Sequence, residues 1–177
     1  MFYHNFLFCM EENWGGGKII RKIISLRKDY FMSKLIKWGL TVAPFLYMAL
    51  IWYMSSNPDD MIIRMEHDQF DRIFKESLHL IEFAILYVLF VLALLAHNRL
   101  TYTASFIAAM VAGFYGLTDE IHQSFVPYRS ATLIDAVKDL LGVAVCLAIV
   151  NRTYFKNKTH PISRGMEWFR VKMTKTN

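Results

Sequence analysis

Four apolar stretches alternate with polar ones along the chain. They cover residues 38–54, 78–96, 102–118 and 133–150, and each is about 17–19 residues long. A helix needs roughly 20 residues to cross the hydrocarbon region of a bilayer, because it rises about 1.5 Å per residue. The pattern therefore predicts an all-α polytopic membrane protein, a bundle of four transmembrane helices, with Pro44 inside the first of them.

Composition supports the membrane class. Hydrophobic residues make up 55% of the 177 residues and aromatic residues 15%, whereas soluble domains usually contain about 45–50% apolar residues. Cys9 and Cys146 lie far apart, and the cysteines do not form a metal-ligand spacing. We therefore expect no structural disulfide.

Basic residues are distributed unevenly around the apolar runs. Seven Lys or Arg residues precede the first run and seven follow the fourth. In contrast, the loop 55–77 holds three basic residues against six acids, and the loop 119–132 holds only Arg129. Because cytoplasmic flanks of membrane helices are enriched in Lys and Arg, both termini are predicted to be cytoplasmic and both of these loops external.

Three regions follow from this topology: a basic cytoplasmic segment 1–37, a transmembrane domain 38–150 and a basic tail 151–177, which we expect to be polar and frayed. In residues 18–28, isoleucines alternate with basic residues, which fits a short helix on an anionic leaflet or a solvated tail. No nucleic-acid-binding motif accompanies these charges, so we expect the lipid bilayer, and no nucleic acid, as partner. Whether synthesis begins at the first residue or at Met32 is left open.

Charged residues recur near the predicted outer ends of the helices. Lys75, His79 and Glu82 are spaced i, i+4 and i+7 and share one helix face. Asp119 and Gln123 share a face at the end of the third apolar run.

The fourth run begins with Asp135 and Asp139, again spaced i and i+4. A charge at the centre of the bilayer costs about 2.5–3.5 kcal/mol on insertion scales. Glu82 and Asp139, one to two turns below the surface, should therefore face inward and share one site. Their expected basic partners are Lys75, Arg129 and Lys138, which offer a point charge or a planar fork.

For Asp119, Glu120 and His122, and for Asp135 with Lys138, an idle position at the surface is the alternative.

Four blocks, SSNP, KESLHLIEF, LTDEIHQSFVPYRS and LIDAVKDLLG, resemble in this order the VanZ-like family of bacterial membrane proteins, named for the teicoplanin-resistance protein. The resemblance spans about residues 38–150. It places the family's polar signature on Lys75, His79, Glu82, Asp119, Glu120, Gln123, Arg129 and Asp135. Tyr128 replaces the usual Gly before the Arg, and Asp139 stands where Asn is also common. The resemblance implies a role at the bacterial cell envelope, with low-level glycopeptide tolerance in the namesake.

The first functional hypothesis is an envelope protein with an outward-facing polar pocket, formed by these signature residues and Asp139. It would bind a lipid headgroup or a peptidoglycan-related ligand and contribute to teicoplanin-type tolerance.

Two alternatives stay open, so the sequence leaves undecided whether the protein is an enzyme. One is an intramembrane hydrolase or transferase acting on a lipid-linked substrate, with His79 as general acid/base and Glu82, Asp119 and Asp135 orienting it or holding a divalent cation. No HExxH, GxSxG or P-loop motif accompanies these residues, so nothing fixes a nucleophile or a metal, and the cofactor is left unknown. The other is a small proton- or cation-coupled transporter, which four helices without an inverted repeat suit only as a homo-oligomer.

Overall fold

The chain is all-helical throughout residues 16–57, 68–127 and 132–174, which are the residues that the computed structural model describes. The α-helices are α1 (Gly16–Ser55), α2 (Asp68–Ala96), α3 (Tyr102–Gln123), α4 (Leu133–Val150) and α5 (Pro161–Thr174), and a π-helical segment, Asn151–Lys156, follows α4 directly. Each predicted apolar run lies in one of the helices α1 to α4, and α4 has the bounds of its run. The all-α prediction is confirmed for these residues.

Helix α1 is 40 residues long, or about 60 Å, which is about twice the hydrocarbon thickness of a bilayer. Its part Ile20–Ser55 is long and apolar enough to cross a membrane, and only 11% of its apolar window is buried in the protein. Pro44 is buried inside the helix without ending it. Residues 18–28 belong to this same helix and do not form a separate short one.

Within the part of the chain whose side chains the structure describes, Ile20–Ser55 meets this length and apolarity, and Leu80–Ala96 is the apolar part of α2. Helices α3 and α4 fall short because of their composition: α3 is rich in small residues and ends in TDEIHQ, and α4 carries three charged residues in 18. The outward faces of both helices are nevertheless apolar. Their exposed side chains include Phe106, Ile107, Met110 and Phe114 on α3 and Ile134, Val137, Leu141 and Val145 on α4.

The core of the bundle forms around α2, which packs most extensively against α4 and also contacts α1 and α3. The buried apolar residues include Ile51, Phe83, Leu86, Tyr87, Val91, Ala109, Ala112 and Val143. The buried Tyr87 hydroxyl lies 2.7 Å from Ser105 Oγ, which joins α2 to α3 by a hydrogen bond. Small residues on the buried face of α3 let neighbouring helices approach closely, as in many membrane bundles.

Gly142 marks the closest approach of α4 to α2. A Cβ atom at this position would overlap the Leu80 carbonyl oxygen and lie 3.6 Å from Ala84 Cβ. On the other side of α4, a Cβ atom at Gly113 of α3 would lie 2.9 Å from Leu140 Cδ2. Helix α4 therefore lies against the backbone of α2 and packs on α3 through side chains, which brings Asp139 into the interior of the bundle.

The turn between α2 and α3 is set by Asn98, whose φ of 55° lies in the left-handed region. The Asn98 amide donates to the Leu95 carbonyl at 3.0 Å and the Arg99 amide to the Leu94 carbonyl at 2.8 Å. This is the double hydrogen bond of a Schellman motif, which closes a helix where Asn or Gly follows the last turn. The side chain of Thr101 then caps α3 by accepting from the Ala104 amide at 3.1 Å.

Residues 151–174 fold back onto the bundle, so the expectation of a frayed tail is wrong for them. Met173 on α5 is 4% exposed, and Arg170 donates from Nη1 to Asn98 Oδ1 at 2.9 Å. Phe155 packs edge-on against Tyr102 with ring centroids 5.9 Å apart. The sequence did not predict this packing, because the apolar face of α5 lies within a short stretch that also carries several charged residues.

We predict that Gly142→Ala destabilises the protein, because the new methyl group meets the backbone of Leu80. Overpacking of this kind costs about 1–3 kcal/mol, so the thermal unfolding midpoint in detergent should fall. Gly165→Ala is the matched control, because a Cβ atom there meets nothing within 4 Å. Equal midpoints for Gly142→Ala and the wild type would contradict the close helix crossing.

Candidate functional site

A hydrogen-bonded triad joins the end of α1 to the end of α3. Ser55 Oγ donates to Asp119 Oδ2 at 2.8 Å, and Gln123 Nε2 donates to the same oxygen at 2.6 Å. Gln123 Nε2 also lies 3.3 Å from Ser55 Oγ. All three side chains are buried, and Asp119 is 0% exposed. The triad thus satisfies one carboxyl oxygen of Asp119 inside the protein.

The other oxygen of Asp119 has a different environment. Oδ1 is buried and has no hydrogen-bond partner among the described residues. A buried acceptor without a donor costs roughly 1–3 kcal/mol, so such atoms usually mark a functional site or a bound water or ion. Asp119 Oδ1 is therefore the atom of the triad that is placed to receive a donor from a ligand.

Asp139 enters the same region from α4 and is 0% exposed. It packs against Gly116, where a Cβ atom would lie 3.2 Å from Asp139 Cβ. Its charge interacts with four carboxyl groups from α2, α3 and α4, which are those of Glu120, Asp119, Glu82 and Asp135. These five residues are called the acidic cluster below.

Glu82 brings α2 into the acidic cluster. Its side chain is half-buried, and its charge interacts with the hydroxyl groups of Tyr47 on α1 and Tyr115 on α3. The Tyr115 hydroxyl donates to the Met48 carbonyl at 2.6 Å, which ties α3 to α1 beside the cluster. Four helices therefore supply polar groups to one end of the bundle.

Glu120 is buried with 7% exposure, although its position next to Asp119 predicts a different helix face. The burial of Glu120 is possible because neighbouring helices cover α3 on two sides at this level. Helix α1 lies next to the triad, and α4 lies next to Asp139. The alternative of an idle surface position therefore does not hold for Asp119 and Glu120.

His122 lies at the edge of the triad and stacks on Trp52, with ring centroids 3.9 Å apart and an interplanar angle of 20°. Its Nε2 lies 3.0 Å from Ser56 Oγ. Ser56 Oγ donates to the Trp52 carbonyl at 2.7 Å. Because a hydroxyl carries one proton, both contacts of Ser56 Oγ form together when His122 Nε2 carries the proton.

Asp135 and Lys138 form an ion pair of 3.1 Å in the first turns of α4. Thr132 caps this helix, accepting from the Asp135 amide at 3.2 Å and donating to Asp135 Oδ2 at 2.6 Å. The alternative of a pair near the surface is thus what the structure shows for these two residues. Asp135 nevertheless borders the acidic cluster through its interaction with Asp139.

The predicted site residues divide into two groups. The structure brings together Glu82, Asp119, Glu120, Gln123, Asp135 and Asp139. Lys75 and His79 belong to helix α2, but their side chains lie outside the described part of the structure. The whole of Arg129 lies outside it as well.

Sequence reasoning missed Ser55 and Gly116. Ser55 belongs to the SSNP block that directly follows the first apolar run, so the block itself was the available signal. Gly116 had no such signal, because its importance depends on which residue of α4 lies opposite to it.

Metal binding was considered for Glu82, Asp119 and Asp135. Within residues 16–57, 68–127 and 132–174, no three or more His, Cys, Asp or Glu side chains form a group that could hold a metal ion. The arrangement is a largely buried group of carboxyl groups, and the Ser55 hydroxyl and the Gln123 amide donate to one of them. Such groups recognise ammonium groups and hydroxyl or amide donors.

A helical fold in the described residues, with an apolar helix of membrane length and with buried charges at one end of the bundle, fits a helical membrane protein. A family model described as VanZ/LLP1 matches residues 20–154, more than half of the chain. The chain therefore belongs to the VanZ/LLP1 family, a membrane-associated family, and the predicted resemblance is confirmed. No curated protein and no solved structure matches the chain.

We predict that Ser55→Ala destabilises the protein by about 1–3 kcal/mol, because a donor to a buried carboxyl oxygen is lost. The thermal midpoint in detergent should fall accordingly. Ser124→Ala is the control, since Ser124 is exposed and bonds only to the local Ile121 carbonyl. If both variants shift the midpoint equally, the triad does not stabilise this end of the bundle.

Proposed function

We propose that the chain crosses the membrane four times through α1 to α4, with both termini in the cytoplasm and the acidic cluster near the outer surface. The apolar outward faces of α3 and α4 support this topology, although their composition alone does not reach that of a membrane helix. The distribution of basic residues supports the orientation, because 14 of the 20 Lys and Arg residues precede residue 38 or follow residue 150.

The acidic cluster acts as an outward-facing binding site for a lipid headgroup or a peptidoglycan-related ligand. The observation that carries this proposal is the burial of Asp119, with Oδ2 satisfied by Ser55 and Gln123 and Oδ1 left without a described donor. Ammonium, hydroxyl and amide groups, which both ligand classes can supply, match a site built from acceptors. Through this ligand the protein contributes to low-level glycopeptide tolerance at the cell envelope, as its family membership suggests.

Binding fits the geometry better than catalysis or transport. For catalysis, the sequence lacks an HExxH, GxSxG or P-loop motif that would supply a nucleophile or a metal site. Towards the other end of the bundle from the acidic cluster, buried residues such as Leu86, Val91 and Ala109 are mainly apolar, which suits a site open to one side better than a polar path across the membrane.

The topology predicts opposite labelling of two single cysteines. In a Cys9→Ser/Cys146→Ser background, Ser124→Cys should react with a membrane-impermeant maleimide in intact cells. Thr159→Cys should react only after permeabilisation. Both positions are exposed, so lack of access in intact cells reports the side of the membrane. Labelling of Thr159→Cys in intact cells would overturn the proposed orientation.

The binding site predicts a charge-dependent phenotype. Cells expressing the wild-type chain should tolerate more teicoplanin than cells without it. Asp119→Asn should lose most of that increase, because the amide keeps the size of the carboxyl group but removes its charge and one acceptor. The exposed Asp29→Asn is the matched control and should behave as the wild type. Equal susceptibility with and without the wild-type protein, at verified membrane levels, would refute the proposed contribution to tolerance.

A further inference from the structure

A second polar region lies at the far end of α4 from the acidic cluster. The π-helical segment continues α4, the chain turns at Asn157, and α5 packs back to enclose a cleft of about 680 Å³. Ligand sites usually measure about 300–1,000 Å³. Asp139 and Tyr154, which lines the cleft, are about 15 residues apart on nearly continuous helix, or about 20 Å. The cleft is thus separate from the acidic cluster, and we call it the basic cleft.

The basic cleft has an excess of positive charge that the protein itself does not neutralise. Arg170 and Glu167 pair with each other on one wall, and Arg170 also donates to Asn98. Lys158 and Arg164 also line the cleft. Neither side chain forms a hydrogen bond or ion pair within the part of the chain that the structure describes. Two uncommitted cations therefore face the same cavity.

Aromatic side chains form another wall of the basic cleft. The rings of Tyr154 and Phe155 meet edge to face with centroids 5.1 Å apart, and Phe155 is itself held against Tyr102. Burial raises the pKa of the Tyr154 phenol above its ordinary value. The hydroxyl therefore keeps its proton at neutral pH and can donate a hydrogen bond to an anion. Because the π-helical turn is packed on α3, this wall is pre-formed.

The surface next to the basic cleft resembles a membrane interface. On α5, Trp168 is 63% exposed and Ile162 is 46% exposed, and Lys172 Nζ lies 4.9 Å above the Trp168 ring. Exposed Trp beside Lys and Arg is typical of helices at headgroup depth. An anion reaching the cleft from this side would be carried by a lipid.

We propose that the basic cleft binds a phosphate group between Lys158 and Arg164, with the Tyr154 hydroxyl as an additional donor. Arg supplies a planar fork of donors that matches phosphate oxygens, and Lys supplies a compact charge. The phosphate could belong to an anionic phospholipid headgroup or to a soluble phosphate ester, and the exposed Trp168 favours the lipid. This site does not depend on the function proposed for the acidic cluster.

The test uses the full chain purified in detergent. Native mass spectrometry should show one phosphatidylglycerol retained per chain and no comparable retention of diacylglycerol, which has the same tails without the phosphate. Calorimetry with glycerol 3-phosphate distinguishes the source: binding of this ester without retention of phosphatidylglycerol assigns the phosphate to a soluble ligand. Failure of both phosphate compounds to bind the wild-type chain would overturn the proposal.

Variants test the position of the site. Lys158→Gln/Arg164→Gln should weaken binding by about tenfold or more, because two charged donors are removed. Arg152→Gln/Lys156→Gln removes the same charge from neighbouring residues that do not line the cleft, and should change affinity by less than about threefold. Tyr154→Phe keeps the ring and should weaken binding several-fold even if the double variant folds poorly. Equal losses in the two double variants would show unspecific surface attraction and refute the site.

Discussion

A buried carboxyl group needs hydrogen-bond donors nearby, and the crossing of α1 and α3 supplies two of them to Asp119. Asp119 and Asp139 are both fully buried. Helix α3 continues past its apolar run to Gln123, which places the Asp119 carboxyl beside Ser55 at the end of α1. Helix α4 approaches α2 at Gly142 and α3 at Gly116, and this spacing gives Asp139 a position among the other acids.

The small residues and the acids are therefore parts of one arrangement. A larger residue at Gly116 would press on Asp139, and one at Gly142 would push α4 away from the backbone of α2. Close helix contacts of this kind need small side chains, since the hydrophobic effect contributes little between helices within lipid. The packing of apolar helices and the placement of the polar groups are thus determined by the same few contacts.

The two ends of the bundle carry opposite charge. The acidic cluster gathers five carboxyl groups at the beginning of α4, whereas the basic cleft lies where α4 passes into the π-helical segment and α5. This polarity agrees with the excess of Lys and Arg at the termini of the chain, which orients membrane helices towards the cytoplasm.

The sequence by itself determined the helical class, the four apolar runs and the end of the bundle at which the acids collect, because helix length and the periodicity of apolar residues are local properties. It also carried the motifs that resemble the family. Only the tertiary structure decided that Ser55 meets Asp119, that Glu120 is buried, and that residues 151–174 pack on the bundle. The contact between Ser55 and Asp119 joins residues 64 positions apart, and it depends on how α1 and α3 cross. The geometry of a helix crossing depends on which small residues of the two helices face each other. A single sequence does not show which residues these are.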